Sequence, residues 1–178
     1  VFKGYFKSEA VTRETIDADG WLHSGDVAEI DGEGFVRITD RKKELIITAG
    51  GKNIAPQFLE GKLKQIPAIS QAVSVGDRRP YVVALLAIDP TRVAEEAKKA
   101  GSPANTPEEA ARCPVFRAMV EKQVESINAD LARYEQIKRF ALLPNELNTD
   151  GGELTPTMKL KRRIIHEKYA SIIESLYA

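Results

Sequence analysis

Residues 39–53, TDRKKELIITAGGKN, decide how the rest of the chain is read. The stretch changes character twice. Asp40 to Glu44 is a charge run with cations between two acids, ELIIT (44–48) is apolar enough for a short buried strand, and Gly50–Gly51 ends it. Upstream the pattern is one of turns and short strands, whereas downstream it becomes helical. A boundary therefore falls near Asp40–Lys43.

Working upstream, DADGW (17–21) and DGEGF (31–35) are Asp/Gly turns flanked by apolar or aromatic residues. Val27, Ile30, Phe35, Val36 and Ile38 around them suit a β-hairpin. Working downstream, Pro56 suits a first helical turn, Phe58, Leu59, Leu63 and Ile66 recur at helical spacing, and Pro67 stops that helix. AISQAVSVG (68–76) and YVVALLAID (81–89) predict two strands joined by a turn at Asp77–Pro80. Thr91–Ala100 predicts a helix. Residues 115–134 predict a long amphipathic one, with Phe116, Met119, Val120, Val124, Ile127 and Leu131 on its apolar face. IKRFALL (137–143) predicts a strand, NTDGGE (148–153) a loop, and a last helix starts at about Met158. This order predicts a small α+β domain, a sheet with helices packed on one or both faces.

Composition excludes several function classes. The 178 residues carry 26 Lys+Arg and 26 Asp+Glu, so nothing global favours nucleic acid. Hydrophobic residues make up 43%, enough for a packed core. No apolar run reaches the ~20 residues of a membrane span. The N-terminus has no secretory apolar stretch and no initiator Met, so the chain is expected to be a piece of a longer protein. The single cysteine, Cys113, reads as a packed small residue in a reducing compartment. No Cys/His cluster predicts a metal site, and AGGKN (49–53) lacks the spacing and hydroxyl of a P-loop.

Three segments remain for chemistry. Asp26, in SGD (24–26), is able to accept hydrogen bonds from vicinal ribose hydroxyls, or simply to hold its own turn. DRKKE (40–44) is a solvated charge run, or an Arg poised ahead of a glycine loop that approaches an anion. LTPTMKLKRR (154–163) is a solvated helix face or a basic patch. Alternatively, its Lys159 delivers a point charge to a developing anion. Spacing alone leaves these alternatives open. Trp21, Tyr5 and Phe6 read as packing residues, and His166 as lying on an exposed polar helix face.

Taken in order, GWLHSGD, TDRKKELIITAGGKNIAP and LTPTMKLKRR resemble consecutive motifs of the adenylate-forming enzymes. That family includes acyl-CoA synthetases, luciferases and peptide-synthetase adenylation domains. ARYEQIKRFALL (132–143) and the helical insert before it look most like the long-chain fatty acid CoA ligase branch. The resemblance implies that 1–40 ends a large N-terminal adenylation domain, 41–43 is a hinge and 44–178 is the small mobile C-terminal domain. It further implies that Asp26 and Arg41 bind the ribose of ATP, Lys43 sits at the hinge, and Gly50 and Gly51 line the CoA tunnel. Lys52 stands where a phosphate-binding Arg is common, and Lys159 is the adenylation lysine. The expected substrates are a fatty acid, ATP and CoA, with Mg2+ and most ATP contacts in the missing N-terminal domain. The expected location is the cytoplasm, with peripheral membrane contact left open. Two departures stand out: Met158 replaces the usual Gly before the lysine, and Lys43 replaces a common Asp. The alternatives are a free-standing α+β binding module and a peptide-synthetase adenylation domain.

Overall fold

The computed structural model describes residues 1–178, which divide into two compact units, Val1–Leu45 and Ile46–Ala178. The first unit carries a short helix α1 (Glu9–Thr15) and a hairpin of β1 (Asp26–Ile30) and β2 (Val36–Arg41), paired antiparallel from Ile30↔Val36 to Asp26↔Arg41. One device builds both of its turns. Asp17 Oδ1 accepts the amides of Asp19 (3.1 Å) and Trp21 (2.8 Å), and Asp31 Oδ1 those of Glu33 and Phe35 (both 2.9 Å). An Asp side chain that copies a peptide carbonyl in this way closes a turn without a strand partner. The Trp21 amide is the main reason the Asp17 carboxyl is held below its ordinary pKa.

This unit has no apolar core. Asp40 is its one buried residue. Ile30, Val36 and Ile38, which alternation puts on one face of the hairpin, are 61–72% exposed. Trp21 and Phe6, expected to pack, are 74% and 89% exposed, and Tyr5 touches only Phe2 edge-on. Within 1–45 the Lys7 ammonium lies over the Phe6 ring, 5.3 Å from its centroid, but no apolar layer buries these residues.

The second unit is built around a strand that reads VVALLAI, apolar at every position. That is the signature of a strand covered on both faces. This is β6 (Val82–Ile88), buried along its whole length between β5 (Ile69–Val75), antiparallel to it, and β7 (Ile137–Leu143), parallel to it. The parallel pairing requires a long crossover, supplied by α3 (Val93–Lys99), α4 (Pro107–Arg112) and α5 (Pro114–Ala129). Even-numbered β6 residues pack with Leu59 and Leu63 of α2 (Pro56–Leu63) and with Phe116, Val120 and Val124 of α5. The odd-numbered Val83, Leu85 and Ala87 pack with Ile165 of α6 (Arg162–Lys168) and Ile173 of α7 (Ala170–Ser175). Helices thus cover both faces. Cys113 lies half-buried against the first cluster, 3.1 Å from Ser102 Oγ.

Four local expectations need correction. Phe58 is 49% exposed, and the buried face of α2 is Pro56, Leu59, Glu60 and Leu63. The long helix ends at Ala129 rather than 134, because the Asn128 side chain exchanges two 2.9 Å bonds with the Ile137 backbone and turns the chain into β7. The last helix starts at Arg162, not Met158, because Met158 has φ +61° and cannot continue a helix. His166 is half-buried, and its Nε2 is shut away from solvent without a hydrogen-bond partner.

Candidate functional site

In the first unit the hairpin register brings two of the predicted residues together. Asp26 opens β1 opposite Arg41, which closes β2, and Arg41 Nε donates to Asp26 Oδ1 at 3.2 Å. A bulge where Val27 pairs with Asp40 and Ala28 with Ile38 leaves Thr39 over, its hydroxyl donating to the Val27 carbonyl. Bulges re-aim side chains at strand ends. The ion pair is open to solvent, with 57% of the Arg41 side chain and 31% of Asp26 exposed. Such a pair contributes little stability, but it aligns a carboxylate with a guanidinium that uses only one of its nitrogens. That arrangement suits a vicinal diol next to a phosphate. Lys43 follows in an exposed turn, two residues before the division between the units.

The second unit carries the other predicted residues on two loops. The first joins β3 (Ile46–Ile47) to β4 (Asn53–Ile54) and holds Gly50, Gly51 and Lys52. Thr48, buried, is its internal post: its carbonyl accepts the Gly51 amide (2.8 Å), its amide donates to Lys52 O (3.0 Å) and its hydroxyl accepts the Lys52 amide (3.2 Å). Gly51 has φ +72°, so a side chain there is strained whatever the space, while a Cβ on Gly50 meets nothing nearer than 3.9 Å. The loop is fastened to the β5–β6 turn by Ala49 N to Arg79 O (2.9 Å), Arg78 N to Ile47 O (2.7 Å) and Ile47 N to Asp77 Oδ1 (3.2 Å). That turn is in turn pinned by the C-terminus. Glu174 pairs with Arg79, Tyr81 donates to Leu176 O, and the Tyr177 hydroxyl reaches Val75 O and Tyr81 O. Burial pushes the Tyr177 phenol up to about 12, so it stays a donor. Lys52 extends its ammonium over the Tyr134 ring, 5.7 Å from the centroid. Tyr134, Arg133, Lys138 and Arg139 line an open cleft of about 630 Å³ with Thr48.

The second loop, 154–160, carries Lys159. Leu154 and Leu160 bridge at its base, Thr155 N donates to Lys159 O (2.8 Å), and the Thr155 hydroxyl accepts the Lys159 amide (3.0 Å). Met158 N turns back to Thr155 O (2.8 Å) with its left-handed φ. The missing family glycine thus acquires a physical meaning: the position before the lysine needs positive φ, and here a Met occupies it. The Lys159 side chain is exposed, and no hydrogen bond or ion pair holds its ammonium.

Its basic neighbours behave differently, which sequence reading missed. Arg162 is not a solvated charge; it grips Glu60 with both forks, Nη1–Oε1 2.7 Å and Nη2–Oε2 2.9 Å, and Glu60 Oε1 also accepts the Ser74 amide (2.8 Å). Lys168 pairs with the fully buried Glu153, which also receives the Tyr169 hydroxyl at 3.3 Å. Burial raises the Glu153 carboxyl, but Lys168 and the neighbouring amides more than offset this, so it sits below its ordinary pKa. The Glu153 carbonyl accepts Lys161 N (2.7 Å), closing the loop's base. The only available signal was Glu60 itself, an acid at a helical spacing otherwise apolar.

No group of three or more His, Cys, Asp and Glu side chains is gathered in a way that could hold a metal ion. No helix is long and apolar enough to cross a membrane.

Against known proteins, the family model described as the AMP-binding enzyme C-terminal domain matches residues 43–178. A long-chain-fatty-acid–CoA ligase of Mycobacterium tuberculosis is 44% identical over 181 residues, covering 99% of this chain and 30% of that protein. A mouse long-chain-fatty-acid–CoA ligase is 39% identical over 195 residues, covering 99% of this chain and 27% of its own length. Among solved structures, the adenylation domain of a carboxylate reductase from Mycobacterium chelonae superposes with a TM-score of 0.79 at 24% identity, over 99% of this chain and 26% of that one. The chain thus spans under a third of the length of these relatives.

Proposed function

The chain belongs to the AMP-binding enzyme family and carries its C-terminal domain, and from that premise we propose that it is the C-terminal part of a long-chain fatty acid CoA ligase. In this reading a fatty acid carboxylate attacks the α-phosphate of ATP, giving acyl-adenylate and pyrophosphate. The CoA thiol then attacks the acyl carbon and AMP leaves. The observation that carries the reading is Lys159. In a segment where Arg162 and Lys168 are tied to buried carboxylates, the ammonium groups of Lys159 and Lys161 both stand unengaged, and Lys159 is the one carried by a tightly closed loop. A carboxylate and a phosphate repel as they approach, and negative charge builds in the transition state. A fixed point charge there stabilises it by a few kcal/mol.

The other predicted residues take compatible parts. Asp26 and Arg41 hold the ribose, and Lys43 pivots the lobe between half-reactions. Gly50 and Gly51 leave room for the pantetheine arm, and Lys52 meets a phosphate of ATP or CoA. Residues 1–40 then belong to the larger domain, whose surface covers Ile30, Val36 and Ile38. That supports the reading over a free-standing module, because a two-stranded hairpin with its apolar face in water is marginally stable at best. Mg2+ accompanies the ATP phosphates in the larger domain.

The test is acyl-CoA formation from fatty acid, ATP and CoA by the full-length protein and by the 178-residue chain. Turnover is expected from the first and not from the second. Turnover by the chain alone, or none by the full-length protein with any fatty acid, overturns the reading. Limited proteolysis tests the hinge, with a first cut expected at 40–45.

A further inference from the structure

Resting on that reading, we infer that Arg162 and Glu60 form a positioning pair for Lys159, setting where its ammonium stands during adenylation. Lys159 has a flexible four-carbon stem and nothing gripping its end, so its position is determined by the loop that carries it. The loop closes on itself through Thr155, and its base rests on Glu153 and Lys161. All of those bonds lie within the 153–161 segment and fix its shape, not its placement. The start of the segment is placed by the buried Leu154, whose amide donates to Asn148 O (3.1 Å), and by Glu153 with Lys168 and Tyr169. Its end, where Lys159 stands, is placed by Arg162, three residues beyond at the start of α6, whose guanidinium meets the Glu60 carboxylate in two parallel bonds of 2.7 and 2.9 Å. A planar fork on a planar carboxylate defines direction as well as distance, which a lone ammonium does not.

Glu60 is itself immovable. It is 6% exposed on α2, and Oε1 accepts the amide of Ser74 in β5, the outer strand of the sheet, where no neighbouring strand takes that amide. The pair therefore registers the Lys159 loop against the edge of the sheet. Helix α2 begins directly after β4 and the Gly50–Gly51 loop, so the same pair fixes the spacing of the two loops within this unit. Catalytic groups need placement within roughly 0.5 Å to work, and two bonds to a buried anchor supply it.

The test uses the full-length enzyme with its half-reactions measured separately: pyrophosphate release from ATP and fatty acid, and thioester formation from supplied acyl-adenylate and CoA. Arg162→Lys keeps the charge and removes the fork. The expected result is a fall of tenfold or more in adenylation kcat, an ATP KM within twofold, thioester formation within twofold and a cooperative melt. Adenylation kcat within twofold of the parent, or equal loss of both half-reactions, overturns the inference. If Arg162→Lys does not fold, Glu60→Gln keeps an acceptor for Ser74 and for one guanidinium nitrogen, and the same split is expected at smaller size. Lys159→Ala, run alongside, separates the two failures. Adenylation that survives Lys159→Ala sinks the functional reading itself, whereas adenylation lost there but intact in Arg162→Lys and Glu60→Gln sinks only the positioning role.

Discussion

The two loops of the second unit solve opposite problems. Loop 48–52 is fastened to the β5–β6 turn by backbone bonds at Ile47 and Ala49, has a glycine where φ is positive, and leaves bare main chain at its tip. Loop 154–160 closes on itself, has a methionine where φ is positive, and ends in a long charged side chain. In the first the backbone is the working surface, so bulk is what must be kept away. In the second the side chain is the working part, so the backbone has only to hold its root. Removing a side chain should therefore damage one loop, and adding one should damage the other.

The largest expected effect tests this directly. In the full-length enzyme Lys159→Ala should lower adenylation by about 100- to 1,000-fold, the usual cost of deleting one electrostatic contact to a developing charge. It should leave thioester formation from supplied acyl-adenylate within a few-fold. Equal loss in both half-reactions would erase the distinction between the loops. The mirror experiment is Gly50→Leu. Its Cβ finds open space in this unit, so the fold should tolerate it, while thioester formation drops by roughly tenfold or more through misplacement of the incoming thiol and adenylation is spared.

Next come stability effects, which separate backbone demand from space. Gly51→Ala should destabilise the protein by about 1–2 kcal/mol in urea unfolding, because an L-residue is forced to φ +72°, whereas Gly50→Ala should be close to neutral. The same logic runs in reverse at Met158. Met158→Gly should hold or raise the unfolding free energy by up to about 1 kcal/mol, and Met158→Val should lower it, since a β-branched residue is a poor fit at φ +61°. If Met158→Gly destabilises clearly, the turn is held by the methionine side chain and not tolerated in spite of it.

What the sequence made legible follows the physics of each signal. The all-apolar run 82–88 and the Asp/Gly turns are local patterns, and each appears where it was read. The buried strand expected over 44–48 shrinks to Ile46–Ile47 with Ile47 50% exposed, because its one partner is the two-residue β4. The pairing of Asp26 with Arg41 was also within reach once the two were assigned to the ends of one hairpin. Illegible were the long-range choices. Arg162 looks solvated because its partner Glu60 lies far away in sequence, and His166 looks polar-faced although its Nε2 is shut away from solvent. Phe58 and Trp21 show the converse, apolar residues left 49% and 74% exposed, Phe58 with only the Lys62 ammonium of its own helix over the ring. Asn128 ended a helix that periodicity would have carried further, through bonds made only after β7 is in place.

The smallest effect expected is in pH dependence, and it concerns the place where the supports of the two loops meet. His166 faces Arg162, which anchors the lysine loop, and Asp77, which holds the Ile47 amide at the foot of the glycine loop. Burial pushes the imidazole below its ordinary value, Arg162 pushes the same way and Asp77 opposes them. A folded-state pKa below the unfolded one means that the unfolded chain binds more protons as pH falls through about 6.5. The contribution of His166 is therefore complete above that pH and declines below it. His166→Gln should flatten the decline of melting temperature between pH 7 and pH 5 while leaving the pH 7.5 value nearly unchanged. The acid limb below about pH 4.5 comes from carboxyls held low in the fold, Glu153 with Lys168 beside it and Asp17, Asp89 and Glu95 among them, and should survive the substitution. A parent and variant with parallel pH profiles would mean that the imidazole is neutral or charged alike in both states. The supports of the two loops would then be electrostatically independent.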